Sequence, residues 1–132
     1  MSGLRLTDDE AGGYWRAGRV LADLPADDPA VMEEVFGPVL TVQAASAPAD
    51  LVRLANGVPQ ALAASVWGNE IGPALTLARA LDCGEIWLNC HLEQTAELPH
   101  GGRNASGQGT DLSVLALAEY QRPKTITARL TA

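Results

Sequence analysis

The sequence predicts an α/β fold built on parallel strands. Three observations predict it: apolar runs of strand length, a helical pattern between them, and turn formers at the boundaries. Pro38 to Ala44 (P-V-L-T-V-Q-A) is rich in β-branched residues and reads as a buried strand. Pro48 to Asn56 reads as a short helix, with Pro48 suited to a first turn and Gly57 to a C-terminal stop. Ala61 to Trp67 (A-L-A-A-S-V-W) is again apolar and of strand length. Asn69 to Asp82 is the clearest helix, since Ile71, Ala74, Leu75, Ala78 and Leu81 recur on one face. Asn69 can cap its start, Pro73 falls in the first turn where a missing N–H costs little, and Gly84 marks its end. Glu85 to Asn89 (E-I-W-L-N) completes a βαβαβ order, which argues for a parallel sheet with crossover helices.

Around this core the chain is less regular. The first 30 residues are acidic and loop-like, punctuated by Gly12-Gly13, Pro25 and Pro29, with a short strand possible at Arg19 to Leu24. The stretch from Cys90 to Asp111 carries Pro99, Gly101, Gly102, Gly107 and Gly109, and is too long for a plain connector, which suggests function. A helix near Leu112 to Tyr120 and a strand near Lys124 to Leu130 close the chain. That last strand has no partner nearby in sequence and suits pairing with another chain. One domain is expected: a loop-rich segment 1–30, an α/β core 31–120, and an oligomerisation-type strand 121–132.

Composition excludes several classes. At 47% hydrophobic and 19% charged residues the 132-residue chain is globular in character. A net charge of -7 with no basic cluster argues against nucleic acid and anionic membrane as partners. No stretch approaches a membrane span, and the polar N-terminus lacks the apolar run of a signal peptide. Cys83 and Cys90 do not make a disulfide framework, so a cytoplasmic protein is expected.

Several pieces resemble, in order and spacing, the aldehyde dehydrogenase superfamily. They are E-E-V-F-G-P-V (Glu33 to Val39), L-A-N-G-V-P-Q-A-L-A-A-S-V-W-G (Leu54 to Gly68), A-R-A-L-D-C-G-E-I-W-L-N-C-H (Ala78 to His91) and E-L-P-H-G-G-R-N-A-S-G-Q-G-T-D (Glu97 to Asp111). Asn89, His91 and the P-H-G-G of Pro99 to Gly102 are most similar to γ-aminobutyraldehyde and betaine-aldehyde dehydrogenases. The resemblance runs from about Gly12 to Leu130 and implies the C-terminal half of a catalytic domain. It also implies that the nucleotide-binding domain, the cysteine nucleophile and the general-base glutamate of such enzymes precede the matched region.

The same resemblance assigns candidate sites. Glu34 and Phe36 match positions where a carboxylate accepts hydrogen bonds from the nicotinamide ribose beside an aromatic ring. A carboxylate suits vicinal hydroxyls because it offers two acceptor oxygens. Without a dinucleotide fold the pair reads as vestigial, the alternative being an acidic loop and a core Phe. Asn89, Cys90, His91, Gln94 and His100 match the aldehyde tunnel, where carboxylates such as Glu93 and Glu97 suit a cationic aminoaldehyde. A solvated acidic loop is the competing reading of that stretch. His91, Glu93, Glu97 and His100 are also speculative acid/base groups, since imidazole and carboxylate carry protons near neutral pH. Cys90 and His91, adjacent at a strand end, should point to opposite sides and make a poor nucleophile–base pair.

Ser106 to Thr110 lacks the lysine of a phosphate-binding loop, no metal-ligand spacing occurs, and Asp111 reads as a helix cap. Trp67, Trp87 and Cys83 read as packing residues. Family lysine, basic and Tyr-Gly positions are occupied here by Asn104, Thr110 and Gln60-Ala61.

Three functions are compatible with these residues. The chain is a truncated aminoaldehyde-dehydrogenase-like protein, unable to act alone with NAD and needing a dinucleotide-binding partner for it. It is alternatively a repurposed cofactor-independent cyclase, isomerase or lyase acting on a cationic or carbonyl substrate. Or it is a non-catalytic interaction module. A homo-oligomer, or a complex with a chain supplying the missing portion, is expected because apolar faces would otherwise lie open.

Overall fold

The computed structural model describes residues 16–130. They fall into two units, the first ending at Pro59 and the second beginning at Gln60. In the first unit, β1 (Arg19–Ala22) pairs in parallel with β2 (Val39–Val42), with α1 (Pro29–Met32) in the connection and α2 (Pro48–Ala55) following. Asp28 starts α1 by accepting a 2.8 Å hydrogen bond from the Ala30 N–H. Pro48 opens α2, as its position predicts.

The register of the first unit places Val20 opposite Leu40 and Ala22 opposite Val42. Side chains two apart share a face of a strand, so these four form one apolar surface. It is uncovered: Val20 is 67% and Leu40 60% exposed. Nothing in this unit is buried among its described residues.

The second unit has a core. β4 (Ala63–Val66), α3 (Ile71–Ala80) and β5 (Glu85–Leu88) form a parallel βαβ unit, with the helix packed on both strands. Its buried side chains are Ala61, Val66, Ala74, Cys83 and Trp87. The parallel arrangement expected from the sequence is thus realised as two separate two-stranded pairs, β1–β2 and β4–β5.

The long segment after β5 is more regular than its composition predicts. It forms β6 (His100–Gly101), β7 (Arg103–Asn104) and β8 (Thr110–Asp111). β6 pairs antiparallel with β8, and β7 with β3 (Gln60–Ala61). Gly102 packs against Ser106, where an added Cβ would lie 2.6 Å from the Ser106 carbonyl oxygen. Gly107 takes the left-handed backbone, with φ of 97°.

Several local expectations are corrected. α3 begins at Ile71 with Glu70 as its N-cap and no side-chain cap, so Asn69 does not cap it. Its expected apolar face buries only Ala74, because Ile71 and Leu75 find nothing over them. Cys83 is buried as expected but lies past the helix, in the bend before β5. Trp67 is 65% exposed rather than in the core, and Phe36 is 95% exposed. Helix α4 (Ser113–Glu119) is capped by Leu112 at φ 59°, while Asp111 belongs to β8 and bonds the adjacent Leu112 N–H. No strand forms at Lys124 to Leu130 within this chain; residues 121–130 have no helix or strand. A strand exists only through a hydrogen-bonded neighbour, and no described segment supplies one there.

A pH test arises from the turn after α3. The Arg103 guanidinium 3.0 Å from Asp82, with the Asn104 amide at 3.1 Å, holds the Asp82 carboxyl below its ordinary 3.8. A depressed acid stabilises the fold above its unfolded value and loses that contribution as pH falls through the folded one. The β3–β7 clasp should therefore weaken only below about pH 4. Urea titration followed by circular dichroism should show Arg103→Gln slightly less stable than the parent at neutral pH, with the difference vanishing as pH falls below the folded value of Asp82.

Candidate functional site

The candidate residues of the second unit fall in two places, Asn89 and His91 at the C-terminal ends of β4 and β5, and His100 with Gln94 at the start of β5. Asn89 follows β5 in the left-handed region, with φ of 55°. Its side-chain amide accepts from the Gly68 N–H at 2.8 Å and donates to the Gly68 carbonyl at 2.9 Å. This double bond to the backbone clamps the ends of the two strands together, so Asn89 is occupied structurally.

His91 turns back over the strands. Its Nδ1 lies 2.6 Å from the Ser65 hydroxyl on β4. Its ring meets the buried Trp87 edge-on, with centroids 5.3 Å apart. Trp87 in turn donates its indole N–H to the Glu93 carbonyl at 3.1 Å. Ser65 and Trp87 are register partners, which puts them on one face of the β4–β5 pair. Among the described residues no hydrogen bond joins Cys90 to His91, and Cys90 is a free, half-buried thiol.

A second cluster surrounds His100. Its Nδ1 lies 2.7 Å from Glu85 Oε2, and the Gln94 amide approaches the same oxygen at 3.2 Å. A carboxylate accepts two donors at one oxygen, so the coherent assignment has the His100 Nδ1–H and the Gln94 N–H both donating to Glu85. The 3.0 Å approach of Gln94 to His100 is then two donors converging on one acceptor. Glu85 is largely shielded, and this arrangement ties β6 back to β5.

The acid/base loop of the sequence therefore divides. His91 joins Ser65, and His100 joins Glu85 and Gln94. Glu93 and Glu97 are exposed, and neither carboxylate bonds to either histidine. Ser65 and Glu85 were not singled out from the sequence, although each is a polar residue inside an apolar strand run.

Glu34 lies apart from these groups, in the first unit. It lines a cleft of about 240 Å³ with Ala30, Val31, Glu33, Val39 and Thr41. Phe36 is not part of that lining. A carboxylate there can accept hydrogen bonds from vicinal hydroxyls. No Gly-rich strand-to-helix turn for its phosphates occurs among the described residues, so the fit stops there. Ser106 in the glycine loop is already used, accepting from the Ala61 N–H at 2.8 Å. Among the described residues no group of three or more His, Cys, Asp or Glu could hold a metal, and no helix is long and apolar enough to cross a membrane.

Comparison with known proteins places this arrangement. The aldehyde dehydrogenase family model matches residues 1–126. Aldehyde dehydrogenase 1A1 of Gallus gallus is 35% identical over 118 residues, spanning 89% of this chain and 23% of the relative. Retinaldehyde dehydrogenase 3 of Homo sapiens is 39% identical over 98 residues, spanning 74% and 19%. The solved NAD-dependent aldehyde dehydrogenase of Sinorhizobium meliloti matches at TM-score 0.75 and 36% identity, covering 80% of this chain and 21% of that one. Betaine aldehyde dehydrogenase of Staphylococcus aureus, solved with NAD+, matches at TM-score 0.74 and 36% identity, covering 76% and 20%. The chain spans about a fifth to a quarter of the length of these relatives. With residues 1–126 matched and the fold shared with solved members, the chain belongs to the aldehyde dehydrogenase family.

Proposed function

We propose that this chain supplies the substrate-entrance part of an aminoaldehyde dehydrogenase and does not oxidise aldehydes with NAD by itself. The carrying observation is that the family match fills residues 1–126 yet amounts to about a fifth to a quarter of a relative's length. The open apolar face of β1 and β2 supports the same reading, because such a face is stable in water only when covered. The cover is the dinucleotide-binding and nucleophile-bearing portions of such an enzyme, on the same polypeptide or another, or a second copy paired through residues 124–130.

In that assembly Glu34 accepts the ribose hydroxyls of NAD, and Phe36 lies against the cofactor. The bound cofactor supplies the hydride acceptor. Gln94, His91, His100 and Cys90 line the aldehyde path, while the Glu93 and Glu97 carboxylates draw in a cationic substrate. A cytoplasmic setting follows from the free thiols.

The test is direct. The purified chain, given NAD and an aminoaldehyde, should form no NADH and give no heat on NAD titration. Light scattering should show it self-associated, or bound to the remainder when the two are coexpressed. NADH formation by the chain alone sinks the proposal.

A second reading is favoured by the His100–Glu85 pair at 2.7 Å. A carboxylate-held imidazole is suited to proton transfer, so cofactor-independent isomerisation or elimination at this loop is the alternative. Unchanged conversion of an aminoaldehyde by both His91→Gln and His100→Gln would dispose of it.

A further inference from the structure

We infer that Asn56 is a self-modifying position, whose side chain cyclises onto the Gly57 nitrogen, loses ammonia and opens to an aspartyl or isoaspartyl link. The inference is independent of the dehydrogenase reading, since it needs only the end of helix α2 and water.

An asparagine amide is attacked by the backbone nitrogen of the next residue when no side chain shields that nitrogen and the backbone can swing toward it. Glycine meets both conditions, because it lacks a Cβ and moves most freely in φ and ψ. The chain has four asparagines, at 56, 69, 89 and 104, and only Asn56 precedes a glycine.

The structure separates them further. Asn89 is held by the two bonds of its amide to the Gly68 backbone, at 2.8 and 2.9 Å. The Asn104 amide donates to Asp82 at 3.1 Å, and its backbone belongs to the β3–β7 pair. Asn69 is followed by Glu70, whose side chain crowds the attacking nitrogen. Asn56, by contrast, is exposed and is the C-cap of α2. The Gly57 N–H is held by the Leu54 carbonyl at 3.1 Å. Reaction needs that bond broken, and the last bonds of a helix are the first to open. Little packing resists the opening, since no described residue of the first unit is buried.

The step balances. The Gly57 nitrogen bonds to Asn56 Cγ, the Cγ–NH2 bond breaks, and ammonia leaves with the Gly57 amide proton. Water then opens the imide at either carbonyl, its hydroxyl going to the carbon and its proton to the nitrogen. One opening gives an ordinary aspartyl residue, and the other an isoaspartyl link with an extra carbon in the main chain. No oxidant or reductant is involved.

Both products disturb α2. A new carboxylate stands at the negative end of the helix dipole, where an anion is unfavourable. The isoaspartyl link also lengthens the backbone where Gly57 lies tight under the last turn, since a Cβ there would be 3.0 Å from the Arg53 carbonyl oxygen. The last turn of α2 therefore unwinds as the chain ages.

The test incubates the whole chain in mildly alkaline buffer, maps its peptides by mass spectrometry and counts isoaspartate by enzymatic methylation. Isoaspartate should accumulate at position 56 and not at 69, 89 or 104, with helical circular dichroism falling in step. Asn56→Gln should show neither change. Because the dipeptide alone would favour the same position in an unfolded chain, the incubation is repeated in urea. Positions 89 and 104 should then begin to react, while the rate at 56 rises less than about tenfold. Accumulation at another asparagine of the folded chain, or none at 56, overturns the inference. So does a rate at 56 that rises about tenfold or more on unfolding, or a modified chain with unchanged circular dichroism.

Discussion

Trp87→Ala is expected to unfold the second unit. Among the described residues Trp87 is the only aromatic of the five buried side chains, and it joins strand β5, the His91 ring and the loop carbonyl of Glu93. Truncating a buried aromatic costs about 3–5 kcal/mol, through lost burial and the cavity left behind. Domains of ordinary size have only about 5–15 kcal/mol in total, and a small core lies at the low end. The lost indole hydrogen bond adds less, because Glu93 is an exposed residue whose carbonyl can be reached by water once the indole is gone. Urea titration followed by circular dichroism should show the cooperative transition lost or shifted far to lower denaturant. A Trp87→Ala protein with the parent's midpoint would show that the core lies elsewhere.

Gly84→Ala should be nearly as damaging, for a different reason. A Cβ at Gly84 would overlap the carbonyl of Gly101 on β6 and lie 3.1 Å from the Leu62 carbonyl oxygen. Both obstacles are backbone, so no rotamer change relieves the clash. The Gly84 N–H also donates to the Leu62 carbonyl at 3.0 Å, which holds the glycine in place. The strain must be released by moving β6, and with it His100, away from Glu85. Overpacking of this kind costs about 1–3 kcal/mol or more. Gly72→Ala in α3 is the control, because its added methyl meets nothing within 4 Å. It should stabilise the helix by about 0.5–1 kcal/mol. Thermal melts should move in opposite directions for the two variants, and amide exchange should quicken over residues 100–111 only in Gly84→Ala. Equal melting of the two would refute the close approach of β6.

Both variants bear on what could be read in advance. The helix α2 start at Pro48, the Ile71–Ala80 helix and the Glu85–Leu88 strand were legible, because period, proline and glycine act locally. The capping roles of Asn69 and Asp111 were misread, since a cap depends on where the chain enters the helix and not on which residue happens to precede it. The short β6, β7 and β8 pairs left no periodic trace, as two residues cannot establish alternation. The candidate site was half visible: His91 and His100 stood out, whereas their partners Ser65 and Glu85 lie 26 and 15 positions away in sequence.

By itself, then, the sequence determined the family, the α/β class and the order of the main elements, because those rest on local propensity and collinear motifs. Only the tertiary structure decided which groups act together. It gave His91 to Ser65 and His100 to Glu85, committed Asn89 to the Gly68 backbone, and left Glu93 and Glu97 in solvent. The physical reason is that pairing in space depends on strand register and loop return, which join residues that no local pattern links.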